Sequence, residues 1–426
     1  MSLFPRGLSR PRRKGLLVLV ALSVVIVSIV LSFAASAQSI SEPIVVPKLS
    51  LPRSGHTATL LPDGRVLVAG GNLSITTAEL YDPVLNQWLA AGNLSTVRSG
   101  HTATLLPNGQ VLVLGGSYSY GTARGELYDP ATGHWRLDGV PQISRNGQTA
   151  TLLNDGNVLV AGGDAGTLFT TAELYTASTG QWSDTGNMST LRYRHTATLL
   201  PDGRVLVAGG SRSSYSGYGN APLTAAEIYD PASGEWHTTG PVGEQRTAHT
   251  STLLLDGRVL VVGTLPYYGL PYPAPGSAPL LPGTEVYSST TNTWTPGTPL
   301  ATPRWGHTAT LLPDGRVVII GGYSWYGQVQ SSVEIFDPAS NRWSAARPLS
   351  SPRAYHTATL LADGTILVVG GTGLLGALDT AERYDPSDAQ LGIQHYLTSI
   401  LRPDVHVPPF FPPTSPPFFS TPTPSP

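Results

Sequence analysis

One sixteen-residue segment occurs twice in this chain without a change. Residues 56–71 and residues 195–210 both read HTATLLPDGRVLVAGG, and related segments begin at five further positions. The starts lie 45 to 58 residues apart. A period near 50 residues indicates a repeat protein in which each copy is one unit of supersecondary structure. The seven copies begin at His56, His101, Gln148, His195, His249, His307 and His356.

Fixed distances inside each copy show which parts do not tolerate insertions. The first Gly of a pair lies 14 residues after the His position, and a recurring Trp lies nine residues after a recurring Glu. Length varies only between the Gly and the Glu. The Glu positions are Glu79, Glu126, Glu173, Glu227, Glu285, Glu334 and Glu382, and the Trp positions are Trp88, Trp135, Trp182, Trp236, Trp294 and Trp343, with Leu391 in the seventh copy.

Each copy predicts four antiparallel strands, here called a to d. The HTATLL segment is strand a, and an Asp-Gly or Asn-Gly turn follows, in which we expect both residues at positive φ. Strand b is a short apolar run, typical of a strand buried on both faces. The Glu opens strand c and the Trp lies in strand d. Four-stranded units repeated radially predict an all-β, seven-bladed propeller.

At these positions the chain resembles the kelch-repeat β-propellers. The match consists of the Gly pair, the Tyr two residues after the Glu, the Trp, and an Arg three residues before the His position, and it covers about residues 44–391. The propeller is also similar to that of the galactose oxidase family, whose radical site is a Tyr crosslinked to a Cys. Because this chain has no Cys, we expect no copper radical oxidase activity.

The N-terminal segment predicts export. Five basic residues and no acidic one precede an apolar run at residues 16–33, and Ala35-Ser36-Ala37 follows. We interpret residues 1–37 as a signal peptide cleaved after Ala37, the alternative being an uncleaved signal anchor. Either way the remainder is extracytoplasmic, secreted or on the cell surface. We expect the propeller at 38–391 and a disordered Pro-rich tail at 392–426.

Composition narrows the range of partners. Removing residues 1–37 moves the net charge from −2 to −7, so nucleic acid is a poor partner. Contact with the membrane is expected only through residues 16–33, if they are not cleaved. We expect a monomer, without a metal or another cofactor.

The recurring Arg and His residues could be interpreted as binding sites, but their presence in nearly every copy favours a structural role. A ring of seven Arg could hold acidic sugars, and the His positions could suggest a metal ring. A feature of every blade is expected to build the blade, and seven-fold placement spreads ligands too widely for one ion. We therefore interpret the Arg, Glu, His and Trp positions as structural. The Arg positions are Arg53, Arg98, Arg145, Arg192, Arg246, Arg304 and Arg353.

Two segments could close the ring. Leu391 lies at the seventh Trp position, and the N-terminal segment Ile44-Val45-Val46 falls in the register of a strand d. We favour the N-terminal segment, because a blade that joins both ends of the chain resists opening.

Candidate ligand-binding residues lie where the blades differ. The b–c loops of blades four, five and six are the longest, and they hold exposed aromatics among Gly, Ser and Pro, a pattern typical of binding surfaces. The alternative is that these loops pack on each other without a ligand. The candidates are Tyr215, Tyr218, Tyr267, Tyr268, Tyr272, Tyr323, Trp325 and Tyr326.

The sequence favours a non-catalytic, exported binding module. It would recognise a protein or a surface glycan through the face that carries the b–c loops. The alternative is an extracytoplasmic sugar-modifying enzyme, similar to a mutarotase or epimerase, that uses Arg, Glu and His near the central channel. No residue stands out as a nucleophile or general base, so no catalytic residue is assigned.

Overall fold

The computed structural model describes residues 44–72, 74–116, 124–165, 168–212, 223–263 and 283–388. The chain divides into two units, residues 1–45 and residues 46–426. Only Ile44 and Val45 of the first unit are described, and both are exposed. No helix within the described ranges is long and apolar enough to cross a bilayer, and the apolar run at 16–33 lies outside them.

The described residues of the second unit form an all-β propeller of seven antiparallel blades, as predicted. Blades one to six each have four strands in the order a–b–c–d, and blade seven has three among the described residues. The first four blades comprise β1 (Thr57–Leu60), β2 (Val66–Ala69), β3 (Thr77–Asp82) and β4 (Gln87–Asn93); β5 (Thr102–Leu105), β6 (Val111–Leu114), β7 (Gly125–Asp129) and β8 (His134–Asp138); β9 (Thr149–Leu152), β10 (Val158–Ala161), β11 (Ala172–Thr176) and β12 (Gln181–Asp184); β13 (Thr196–Leu199), β14 (Val205–Ala208), β15 (Ala226–Asp230) and β16 (Glu235–Thr238).

The last three blades carry two small additions on the b–c side. One short strand pair joins the segment before blade six to that blade's b–c loop, and another forms a hairpin in blade seven. The strands are β17 (Thr250–Leu253), β18 (Val259–Val262), β19 (Thr284–Ser288) and β20 (Thr293–Pro296); β21 (Arg304–Trp305), β22 (Thr308–Leu311), β23 (Val317–Ile320), β24 (Tyr323–Ser324), β25 (Val333–Asp337) and β26 (Arg342–Ala346); β27 (Thr357–Leu360), β28 (Ile366–Val369), β29 (Thr372–Gly373), β30 (Gly376–Ala377) and β31 (Ala381–Tyr384), followed by a 3₁₀ turn at Pro386–Asp388.

The core lies between blades. All four residues of each strand b are buried, which confirms the prediction from their apolar runs. At one interface, Leu67 and Leu80 of blade one pack with Val111 and Tyr128 of blade two. A similar cluster fills each of the seven interfaces between neighbouring blades.

The a–b turn differs from the expected form. Only the Gly takes a positive φ, as at Gly64 with 85°, and Asp63 does not. The Gly64 N–H bonds to the Leu61 carbonyl, while the Asp63 carboxylate accepts the Arg65 N–H. This is a turn followed by a left-handed Gly, so the prediction of two positive φ values was wrong.

The Gly pair allows neighbouring blades to approach. A Cβ on Gly70 would lie 2.7 Å from the Arg98 carbonyl oxygen and 3.0 Å from the His101 ring, both in the next blade. Both Gly70 and Gly71 also have a positive φ. A larger residue would therefore push against the neighbouring blade and strain the backbone.

The segment Val46–Leu49 takes the place of an outer strand for blade seven. Val46 and Leu49 are buried in the cluster between blades seven and one, as Ala91 and Leu94 are in the next cluster. The Leu49 N–H bonds to the Asp379 carbonyl at 2.8 Å. N-terminal residues thus complete the ring at this interface, whereas Leu391 lies outside the described residues.

Candidate functional site

The b–c loops and the d–a connections share one face, because the strands of each blade alternate in direction. The His position ends each d–a connection, directly before strand a, and strand a lies nearest the central channel. The six His side chains are buried. Each Nε2 lies 2.9–3.0 Å from the hydroxyl of the first Thr in strand a of the preceding blade, in the pairs His56–Thr357, His101–Thr57, His195–Thr149, His249–Thr196, His307–Thr250 and His356–Thr308.

Burial makes these imidazoles neutral. It lowers the pKa of His56, His101 and His249 to about 3, and neighbouring Arg side chains lower it further in the same direction. In blade three Gln148 replaces the His, and its amide donates to the Leu114 carbonyl. The channel wall is therefore uncharged at this level.

The Arg and Glu positions form buried pairs inside each blade. Every Arg is almost fully buried, donates to the carbonyl of the first Gly at 2.8–3.0 Å, and lies 2.5–3.1 Å from its Glu. The Glu also accepts a backbone N–H from the preceding d–a connection, as Glu227 does from Ser189. This arrangement ties three segments of the blade together, and each Glu carboxylate offsets the charge of its Arg.

The residue directly before each His position is left-handed in all seven blades, with φ between 52° and 68°. Four of these residues are Gly, which adopts this conformation freely. The other three are Arg194, Ala248 and Tyr355. A non-Gly residue here costs about 1 kcal/mol or more, and such strain often marks a functional position.

Arg194 and Tyr355 meet across the channel mouth. The Arg194 guanidinium carbon lies 5.1 Å from the ring centre of Tyr193 and 5.8 Å from that of Tyr355. Its Nη1 lies 3.4 Å from the Tyr355 hydroxyl. Burial raises the pKa of Tyr355, so its phenol stays neutral and can both donate and accept a hydrogen bond.

Two aromatic rings of blade six extend this group. Trp305 and Tyr323 face each other across the β21–β24 pair and stack at 4.5 Å between ring centres. Tyr355 meets both edge to face, at 5.8 and 6.0 Å. Aromatic pairs at these separations are stabilising. We call Tyr193, Arg194, Trp305, Tyr323 and Tyr355 the mouth cluster.

A cavity of about 450 Å³ opens beside the mouth cluster. Its floor is the ring of neutral His side chains with Gln148. Tyr193, Arg194 and Tyr355 line one side, and small polar residues of blades one to three line the other. These polar residues are Ser54, Ser99 and Asn146, with the left-handed Gly55, Gly100 and Gly147 beside them.

A second feature of this face is apolar. Leu374 and Leu375 form the tip of the β29–β30 hairpin in blade seven and are 77% and 104% exposed. The hairpin starts next to the mouth cluster, because Thr372 bridges to Ala354, the neighbour of Tyr355. Turn tips normally carry Gly, Asn or Asp, so two exposed Leu have no evident structural purpose there.

Of the eight ligand-binding residues predicted from the sequence, the structure describes three. Tyr323 belongs to the mouth cluster, and Trp325 and Tyr326 follow it in the same b–c loop, Tyr326 being 50% exposed. The sequence did not single out Tyr193, Arg194, Trp305 or Tyr355. Aligning the residues before the His positions would have revealed two of them, since large side chains replace Gly there. The remaining candidates, Tyr215, Tyr218, Tyr267, Tyr268 and Tyr272, lie outside the described residues.

Comparisons with known proteins agree on the fold. Residues 304–350, which contain blade six, match the Kelch motif, and a Kelch propeller suggests an interaction module. A solved fungal alcohol oxidase of the AA5 family, in complex with copper, is similar with a TM-score of 0.65 and 21% identity, over 81% of this chain and 76% of that chain. Because 741 solved chains match, the likeness identifies an architecture rather than an activity. Comparison with curated proteins gives no match.

A copper site of the oxidase kind does not fit the residues present. The chain has no Cys, and the Nε2 atoms of the six channel His are each bonded to a Thr hydroxyl. Across the described residues, no three His, Asp or Glu side chains are grouped so that they could share an ion. We therefore derive no redox step for this chain.

Proposed function

We propose that this kelch-type propeller is an exported, non-catalytic interaction module that binds a protein partner through the face bearing its b–c loops. Its export rests on the N-terminal sequence, in which basic residues, an apolar run and Ala35-Ser36-Ala37 follow one another. Its binding role rests on what this face presents. The propeller serves as a rigid frame for loops that differ from blade to blade.

The observation that carries the proposal is the exposed Leu374–Leu375 tip. Both side chains stand in solvent on a two-residue hairpin turn. Trp325 and Tyr326 belong to the b–c loop of the neighbouring blade. Apolar side chains that protrude from a polar surface are the usual anchors of a protein interface, and Tyr326 is also exposed on this face.

A protein is the occupant that these features favour. A hairpin tip can enter an apolar recess of a folded partner and bury both Leu side chains, each contributing roughly 1.5–3 kcal/mol. The surrounding loops would form the polar rim that such interfaces have. Because the mature chain is expected to carry a net charge of −7, attraction to an anionic lipid surface is disfavoured.

The test compares two exposed apolar pairs on opposite faces. In one variant Leu374 and Leu375 become Ser; in the matched control Val84 and Leu85 become Ser, in the c–d turn of blade one, where they are 89% and 63% exposed. Full-length protein would be used to identify secreted or surface proteins by quantitative crosslinking in the native host. We expect to recover partner proteins that crosslink to the wild type and to the control. The same proteins should be lost from the Leu374/Leu375 variant.

Two results would contradict this proposal. One is a set of partners that survives the Leu374/Leu375 change but disappears with the Val84/Leu85 change, which would place binding on the opposite face. The other is binding confined to glycans on an array, with no protein partner recovered. Fusion of residues 1–50 to a reporter tests export separately, since a cytoplasmic reporter would refute it.

A further inference from the structure

Charge is scarce among the described residues that line the cavity at the channel mouth. Of the described residues that line it, Arg194 is the only one with a full charge near neutral pH, and none is acidic. The His floor stays neutral for the reason given above. The ring of seven recurring Arg adds little field, because each of them is buried and paired with a Glu. The local potential therefore favours an anionic group beside Arg194.

Arg194 is held in place by aromatic faces. Its guanidinium carbon lies over the rings of Tyr193 and Tyr355, and such stacking fixes the orientation of the planar group. A planar guanidinium recognises a carboxylate through two parallel hydrogen bonds. The backbone of Arg194 is left-handed, with φ of 53° where four other blades have Gly, and backbone strain of this kind often accompanies a functional role.

The remaining walls suit a sugar ring. Tyr193 and Tyr355 bring aromatic rings to the cavity wall, and Ser99 and Asn146 bring a hydroxyl and an amide to the opposite side. A pyranose has the same two-sided character, with apolar C–H faces and hydroxyls around its edge. A volume of about 450 Å³ falls within the range of roughly 300–1,000 Å³ that small-molecule sites occupy.

We propose that this cavity binds a carboxylate-bearing sugar of the uronic acid class. Arg194 holds the carboxylate, Tyr193 and Tyr355 pack against the ring, and the polar residues of blades two and three meet its hydroxyls. This site is separate from the Leu374–Leu375 tip, so it does not depend on a protein partner.

The experiment is calorimetric titration of the purified full-length chain with glucuronate and galacturonate. Glucose serves as the neutral analogue, and acetate as the bare carboxylate. We expect one of the uronates to bind with a dissociation constant at least about tenfold lower than that of glucose or acetate, because a charged hydrogen bond and the ring contacts act together.

Two Arg variants locate the site. Arg194→Gln should weaken uronate binding at least about tenfold, whereas Arg204→Gln, on an a–b turn of the opposite face, should not. Arg194→Gly is a second test, because Gly suits the left-handed backbone and should leave the melting temperature unchanged or higher while abolishing binding. Failure of both uronates to bind, equal binding of glucose or acetate, or full binding by both Arg194 variants would each overturn the proposal.

Discussion

The six channel His residues are neutral because burial disfavours the imidazolium. For His249 the pKa falls from 6.5 to about 3, first through desolvation and then through the nearby Arg246. A base whose pKa is lower in the folded state than in the unfolded state does not change the free energy of unfolding above the unfolded-state pKa, because it is neutral in both states there. Below that value the unfolded chain binds the proton and the folded one does not, so stability falls as pH decreases.

We predict that the propeller loses stability steeply between pH 6.5 and pH 3 and that His249→Gln reduces the loss. Each neutral His should cost about 1.4 kcal/mol per pH unit in this window. Gln is the residue that blade three carries at the equivalent position, where Gln148 bonds to the Leu114 carbonyl, so the variant should fold. Urea unfolding at several pH values checks this, and an unchanged slope in the variant would show that His249 is charged in the fold.

At the scale of the element, the d–a connection is fastened by a buried ion pair. Arg192 and Glu227 of blade four are 0% and 2% exposed, and Glu227 also accepts the Ser189 N–H. The same blade has an exposed pair, Arg204 with Asp202, at 36% and 43%. The two pairs allow the same chemical change to be compared in a buried and an exposed setting.

We expect Glu227→Gln to lower the free energy of unfolding by about 3–5 kcal/mol, because it leaves the Arg192 charge buried without compensation. Asp202→Asn should cost less than about 1 kcal/mol, since solvent screens that pair. Chemical denaturation of both variants measures the difference. Similar losses in the two variants would mean that the buried pair does not fasten the connection.

The strands were predictable, while the mouth cluster was not. Seven copies with fixed internal spacing define where each strand and turn must fall, and the apolar VLVA segments at 66–69 and 205–208 show which strand is buried. The mouth cluster unites Arg194, Trp305 and Tyr355 from three different blades, and only the closed ring brings them together. The a–b turn was also predicted incompletely. The sequence allows Asp63 a positive φ, but in the structure its φ is not positive and its carboxylate accepts the Arg65 N–H.

At the scale of the whole molecule, the ring is completed by residues that precede its first blade. Leu49 occupies at the interface of blades seven and one the place that Leu94 occupies at the next interface. The Lys48 ammonium also lies 3.0 Å from the Asp379 carboxylate. If the two interfaces are equivalent, the same truncation of a Leu side chain should lower the free energy of unfolding by a similar amount at each.

We predict that Leu49→Ala and Leu94→Ala each lower the free energy of unfolding by about 2–5 kcal/mol, and by similar amounts. Deleting residues 1–49 should be more damaging still, whereas a chain starting at residue 44 should keep its thermal transition. Calorimetry of these four proteins provides the comparison. A harmless Leu49→Ala beside a harmful Leu94→Ala would show that another segment closes the ring.

The contact between Lys48 and Asp379 joins residues 331 positions apart, and this separation has a consequence for the rate of folding. Every other blade can assemble from neighbouring segments of chain, but the seventh must wait until both ends of the sequence meet. Contacts so remote in sequence form slowly, because the entropy of closing the loop is lost before the contact is gained. We therefore expect the apolar surfaces of blades one and seven to be covered last during assembly. During that interval we expect the newly made chain to be most prone to aggregation and proteolysis.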